Sequence, residues 1–263
     1  MSAHRILGIV NATPDSFSDG GRMGEAAVAH ALRLAEDGAD MLDVGGESTR
    51  PGAAPVGERE ELDRILPVIE ALRARTPTPV SIDTRKPAVA RAGVAAGASV
   101  WNDVSALTYA EDSLATAGAL SVPVVLMHAQ GDPQTMQDDP RYADVAEEVR
   151  AFLAGRIAAA RAAGVPEVIA DPGIGFGKTL DHNRQLLSNL DRFRTLGVPM
   201  MIGASRKRFI AALDRDGSAD ARVGGSVAAA LAARAAGFAW FRVHDVAETR
   251  QALAVWDAVH PPG

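Results

Sequence analysis

Eight short apolar, β-leaning runs punctuate this chain: residues 6–10 (ILGIV), 40–44 (DMLDV), 80–82 (VSI), 98–101 (ASVW), 122–127 (VPVVLM), 167–170 (EVIA), 198–203 (VPMMIG) and 238–243 (FAWFRV). Their ends lie about 33 residues apart on average, the length of one strand–helix unit. Between them, 25–37, 58–75, 142–164 and 226–237 place apolar residues at helical spacing. Gly38, Gly97, Gly164 and Gly237 follow the last apolar turns as left-handed helix caps. An open, doubly wound sheet would alternate in the same way. Eight units that fill the chain without a hairpin or a remainder favour closure, so the expectation is a (β/α)8 TIM barrel, one domain over residues 1–263.

Composition removes several classes of function. With 263 residues, 47% of them hydrophobic and 23% charged, the chain can bury a large core and stay soluble. A net charge of −6 argues against a nucleic-acid partner. The absence of cysteine excludes disulfides, a thiolate nucleophile and a Cys-ligated metal. The first residues lack signal-peptide form and no window approaches the ~18 apolar residues of a membrane span, so a cytoplasmic enzyme without a membrane partner is expected.

In a barrel of this kind the active site forms at the C-terminal strand ends, so the residues that close each run are the most informative. The runs end in Asn11; in GGESTRPGA; in Asp83, Thr84 and Arg85; in Asn102 and Asp103; in Met127 and His128; in Asp171 before PGIGFGKT; in Gly203 before ASRKR; and in Arg242, Val243, His244 and Asp245. Helix N-capping accounts for Asp, Asn, Ser and Thr at such places. It does not account for Arg50, Lys207, Arg242 and His244, because a helix N-terminus disfavours cations unless an anion arrives. These cations imply an anionic ligand.

Two loops, 13–21 and 45–53, exceed the about two to six residues usual after a strand and read as mobile lids or as plain surface loops. PGIGFGKT (172–179) is one residue short of the Walker spacing and reads as a close-packed wall with Phe176 against a flat ligand. GASRKRF (203–209) opens a helix whose amides, with Lys207, suit an anion or an acceptor-rich ring; the alternative is a Ser-capped surface helix. His128 reads equally well as a structural or a functional histidine, and His244 is expected to pair with Arg242. Neither a nucleophile elbow nor a closely spaced metal triad is present in the sequence.

Eight segments, GIVNATPDSFSDGG (8–21), DVGGESTRPGA (43–53), SIDTRKP (81–87), WNDVSA (101–106), MHAQGDPQTMQ (127–137), IADPGIGFGKT (169–179), GASRKRF (203–209) and RVHDV (242–246), together resemble the dihydropteroate synthase family. The resemblance spans the whole chain in order. It implies a transferase that condenses 6-hydroxymethyl-7,8-dihydropterin diphosphate with 4-aminobenzoate, with Mg2+ as cofactor and these two small molecules as substrates. Asp171 would take the 2-amino edge of the pterin, Asn102, Gly203 and Lys207 other ring positions, and Asp83 the space below the ring. Met127 and Phe176 would line its faces. Asn11, Arg242 and His244 would hold the diphosphate, Asn11 also ligating Mg2+. Phe17, Thr49, Arg50, Pro51 and Arg208 would meet the aminobenzoate, and Asp83, Arg50, Lys207 and Asp15 would carry catalysis. Arg208 stands where relatives often have serine, which exchanges a hydroxyl contact for a charge. A homodimer through the late helices, 219–259, is also implied. Two rivals predict different losses: a methyltetrahydrofolate methyltransferase has no use for the diphosphate residues, and a non-catalytic pterin binder would have shed Asn11, Arg50 or Arg242.

Overall fold

The computed structural model of the protein describes residues 4–13, 23–48 and 52–260. Strands β1 (Arg5–Asn11), β2 (Met41–Gly45), β3 (Val80–Asp83), β4 (Val100–Asp103), β5 (Val124–Met127), β6 (Val168–Asp171), β7 (Met201–Ile202) and β8 (Trp240–Val243) alternate with helices. These are α1 (Met23–Glu36), α2 (Glu58–Arg75), α3 (Pro87–Ala95), α4 (Ser113–Leu120), α5 (Val145–Ala162), α6 (Leu180–Ser188), α7 (Arg208–Leu213), α8 (Val223–Ala235) and α9 (Val246–Val259). All pairings are parallel, in the spatial order β6-β5-β4-β3-β2-β1-β8-β7. A single bridge, Ala170 to Met200, joins the two ends of that order and completes the ring. The expected (β/α)8 TIM barrel is the observed fold.

Local signals place the elements. Gly38, Gly97, Gly164 and Gly237 all take positive φ, between +88° and +112°, as caps that turn the chain back toward the next strand. Helix α5 starts at Val145, later than periodicity alone suggests, because the Asp144 carboxylate accepts from the amides of Ala146 and Glu147 and so fixes the first turn. Strand β7 is shorter than its apolar run, since Pro199 cannot donate to the ladder and Gly203 already belongs to the mouth.

Alternation along each strand sorts side chains between two cores. Outward residues such as Ile6, Leu42, Ile82, Trp101, Leu126 and Phe241 are fully buried against the helices. Inward residues Leu7, Met41, Val100, Val125, Ile169, Met201 and Trp240 form a separate apolar cluster that fills the N-terminal half of the barrel. The Arg5 guanidinium lies 5.1 Å from the Trp240 ring centroid at its base. With the bottom filled, the other inward positions open only toward the C-terminal mouth.

Candidate active site at the C-terminal mouth of the barrel

Two residues further along β2, β4, β6 and β8 the inward positions turn polar, at Asp43, Asn102, Asp171 and Arg242. Asp43 is completely buried inside the ring and accepts from three strands: from Ser81 Oγ, from Asn102 Nδ2 at 3.0 Å and from Arg242 Nε at 2.5 Å. The other end of the guanidinium, NH2, reaches Asp83 Oδ2 at 2.6 Å. Arg242 therefore bridges two carboxylates contributed by β2 and β3. Burial opposes its charge, but Asp43 and Asp83 overcome that and raise its pKa, so it stays a cation. Burial pushes Asp83 up to about 7, against the pull of Arg242 and with help from the neighbouring Asp43 charge.

Across the mouth, Asp171 accepts from the Gly173 amide at 2.7 Å. Its carboxyl is raised by burial, with Lys207 opposing. Lys207, on the loop after β7, donates to the Ile174 carbonyl, and its Nζ stands 4.2 Å from the Phe176 ring centroid. Burial brings its ammonium down to about 7, an effect that Asp171 resists and Arg242 reinforces.

Two strand ends carry no side chain. A Cβ on Gly45 would lie 3.4 Å from the Asp83 carboxylate, and one on Gly203 would lie 3.3 Å from Asp171 Oδ2 and 4.0 Å from Arg242 Cβ. Glycine at these positions lets the backbone pass close to the Asp83 carboxylate at Gly45 and between Asp171 and Arg242 at Gly203, where a side chain would crowd them. Asn11 closes β1 in register with Gly45, and Met127 closes β5 in register with Asp171. Met127 and Asn102 are buried.

Some expected residues sit differently. Arg242 faces Asp43 and Asp83, while His244 meets Ser205 through its backbone N–H at 3.2 Å and its Nδ1 at 3.1 Å. Their expected mutual pairing gives way to these contacts because carboxylates bind a guanidinium more strongly than an imidazole does. His128 is buried; burial and the Lys178 charge take it down to about 3, and its Nδ1 lies 3.0 Å from Lys178 Nζ. Arg208 stands exposed on the first residue of α7. Asp15, Phe17, Thr49, Arg50 and Pro51 lie outside the described residues.

A second charged cluster stiffens the rim between β2 and β3. Lys86 bridges Glu47 at 2.9 Å and Glu61 at 2.6 Å, and Arg85 Nε donates to Glu47 at 3.2 Å while its guanidinium covers the Tyr109 ring. Glu47 also accepts from the Val56 amide, tying the start of the β2–α2 loop to its end.

Strand-end carboxylates and cations gathered at one barrel mouth fit a flat, edge-polar ring with an anionic tail, and comparison with known proteins agrees. Residues 7–244 match the pterin binding enzyme family. The dihydropteroate synthase of Escherichia coli (strain K12) is 44% identical over 262 residues, covering 98% of this chain and 92% of that protein. The chain belongs to the dihydropteroate synthase family. Dihydropteroate synthases are transferases, and two solved structures from Xanthomonas albilineans superimpose closely on this member. The dihydropteroate synthase with 4-aminobenzoic acid has a TM-score of 0.93 at 54% identity, covering 99% of this chain and 94% of that one. The complex with 7,8-dihydropteroate has a TM-score of 0.90 at 50% identity, covering 100% and 97%. Among the described residues no helix is long and apolar enough to cross a membrane.

Proposed function

We propose that this chain condenses 6-hydroxymethyl-7,8-dihydropterin diphosphate with 4-aminobenzoate to give 7,8-dihydropteroate and pyrophosphate. The observation that carries this reading is the gathering of Asp83, Asp171, Lys207 and Arg242 at one end of the barrel, where they interact with one another. A carboxylate presents two acceptors to a neighbouring N–H pair, which suits Asp171 to the 2-amino edge of a pterin. Asn102 and Lys207 supply donors to the ring's acceptors, and Met127 and Phe176 offer apolar faces.

The bond that breaks joins the pterin methylene to the diphosphate oxygen, and its electrons leave with pyrophosphate. Arg242 and His244 bind the departing charge, and Asp83 stabilises the electron-poor methylene on an SN1-like path. The arylamine lone pair then forms the new C–N bond and the nitrogen loses its proton. Aminobenzoate needs positioning more than a base, because its nitrogen is neutral before attack. Thr49, Arg50, Pro51, Phe17 and Arg208 are assigned to that positioning, and Asp15 to pairing with Arg50 or reaching the metal.

A magnesium ion fits the donor set. Among the described residues there is no three-carboxylate or histidine cage, but Mg2+ retains water and substrate phosphate oxygens and needs few protein ligands, so the Asn11 amide oxygen suffices. Bound there, it would offset charge on the diphosphate. Exposed Val255 and Val259 on α9 support a homodimer through the late helices, 219–259.

The test is incubation of the full chain with pterin diphosphate, Mg2+ and 4-aminobenzoate, followed by mass detection of dihydropteroate. Product formation at catalytic enzyme concentration is expected. Tight pterin diphosphate binding without product would instead make the chain a binding protein.

A further inference from the structure

The glycine-rich segment after β6 enters the proposed reaction only through Phe176, yet it holds one of the most deeply buried cations in the fold. Lys178 is 3% exposed. Its Nζ is surrounded by three acceptors: the Phe176 carbonyl at 2.9 Å, His128 Nδ1 at 3.0 Å and the His128 carbonyl at 3.4 Å. An ammonium has three protons to give, so these acceptors can use all of its donors and leave none for a substrate. Burial and the nearby Lys207 charge lower its pKa, while the unprotonated His128 keeps an Nδ1 lone pair available to it.

The glycines around Lys178 serve the same close approach. Gly173 and Gly177 take φ of +66° and +59°, and a Cβ on either would fall 1.9 Å from the His128 carbonyl oxygen or 2.3 Å from that of Gln130. The segment is thus pressed backbone to backbone onto the end of β5, which explains glycine here without a phosphate ligand. The segment also carries the Phe176 ring, assigned to the pterin, and the Ile174 carbonyl that receives Lys207, itself assigned to the pterin.

We infer that Lys178 is a positioning residue for the pterin substrate: by joining the Phe176 carbonyl to His128 it pins the 173–178 segment to the β5 rim and so sets where Phe176 and Lys207 stand. This inference rests on the pterin reading of the barrel mouth. Lys178 acts through these neighbours and touches no reacting atom.

The test uses the full chain with Lys178→Met, which keeps the length of the side chain and removes its donors. Calorimetric titration with pterin diphosphate alone should show about tenfold weaker binding, the scale of one lost charge-assisted hydrogen bond. The KM for 4-aminobenzoate should stay unchanged, and adding Phe176→Leu should weaken binding less in K178M than in the unaltered chain, as expected of coupled residues. Lys178→Gln, which retains donors, should recover part of the affinity. A folded K178M that binds pterin diphosphate like the unaltered chain overturns the inference, as does an equal rise in both KM values. Failure of both variants to fold overturns it too, leaving Lys178 a stability residue. If the unaltered chain binds no pterin diphosphate, it is the proposed function that fails, and the two failures are told apart by that control.

Discussion

The lower and upper halves of the barrel interior are built from the same inward-facing strand positions, yet one is filled by Leu7, Met41, Val125 and Ile169 and the other by Asp43, Asp83, Asn102 and Arg242. In the lower half each residue is stabilised by leaving water, and nothing beyond size and shape is asked of its neighbours. In the upper half, burial costs every group its hydration, and the layer stands only because its members satisfy one another. The lower half therefore holds the ring closed, while the upper half is a set of mutually dependent charges open to exchange with a ligand.

The largest break in that dependence is Arg242→Ala. It leaves Asp43 buried without its cation, so unfolding free energy in urea should fall by about 3–5 kcal/mol. Pterin diphosphate binding should weaken by about 2 kcal/mol or more in calorimetry; unchanged affinity would remove Arg242 from the diphosphate site. Ile169→Ala, in the apolar layer, should cost about 2–5 kcal/mol of stability while kcat of the folded protein stays as it was. A fall in kcat there would mean that the two halves are not separable.

The smallest effect sharpens the account of the charged layer. Folded Asp83 holds its proton up to about 7, whereas an unfolded Asp loses it near ~4. The folded carboxyl is therefore the weaker acid, and its contribution to stability is lost as pH rises from about 4 to about 7. Activity runs the other way: kcat/KM for the pterin substrate should rise through about 7 as Asp83 ionises. In Asp43→Asn one of the charges that raise Asp83 is gone, so this limb should move to lower pH at a stability cost of about 1–3 kcal/mol. A pH profile that does not move would show that Asp83 is not the group titrating.

The fold was legible because period and parity are local properties: eight runs, stretches of helical spacing between them and glycines at the turns need no knowledge of contacts. Asn11, Asp83, Asn102, Asp171 and Arg242 were legible for a related reason, since each ends an apolar run and must emerge at the mouth. Asp43 was missed although its signal was present: it is a carboxylate inside an apolar run, on the same face as Met41 and Gly45. What it binds was not readable, because its contact with Arg242 spans 199 residues and exists only once the ring closes. The same limit misled the pairing of Arg242 with His244, where nearness along a strand counted for more than the opposite wall. Lys178 resembles a phosphate-loop lysine in sequence, and only its surroundings show that its partners belong to the protein.

The ring is fastened unevenly. Strand β1 meets β2 through five residue pairs, whereas β6 and β7 share one bridge, supported by the Ala170 amide donating to the Pro199 carbonyl at 3.0 Å. That seam runs directly beneath Asp171 and Gly203. Spreading the cylinder at this point sacrifices fewer ladder bonds than at the five-pair β1–β2 junction, so adjustment to ligands of different width is easiest where the heterocycle edge would enter, and amide exchange with deuterium should begin there before it reaches β1 and β2.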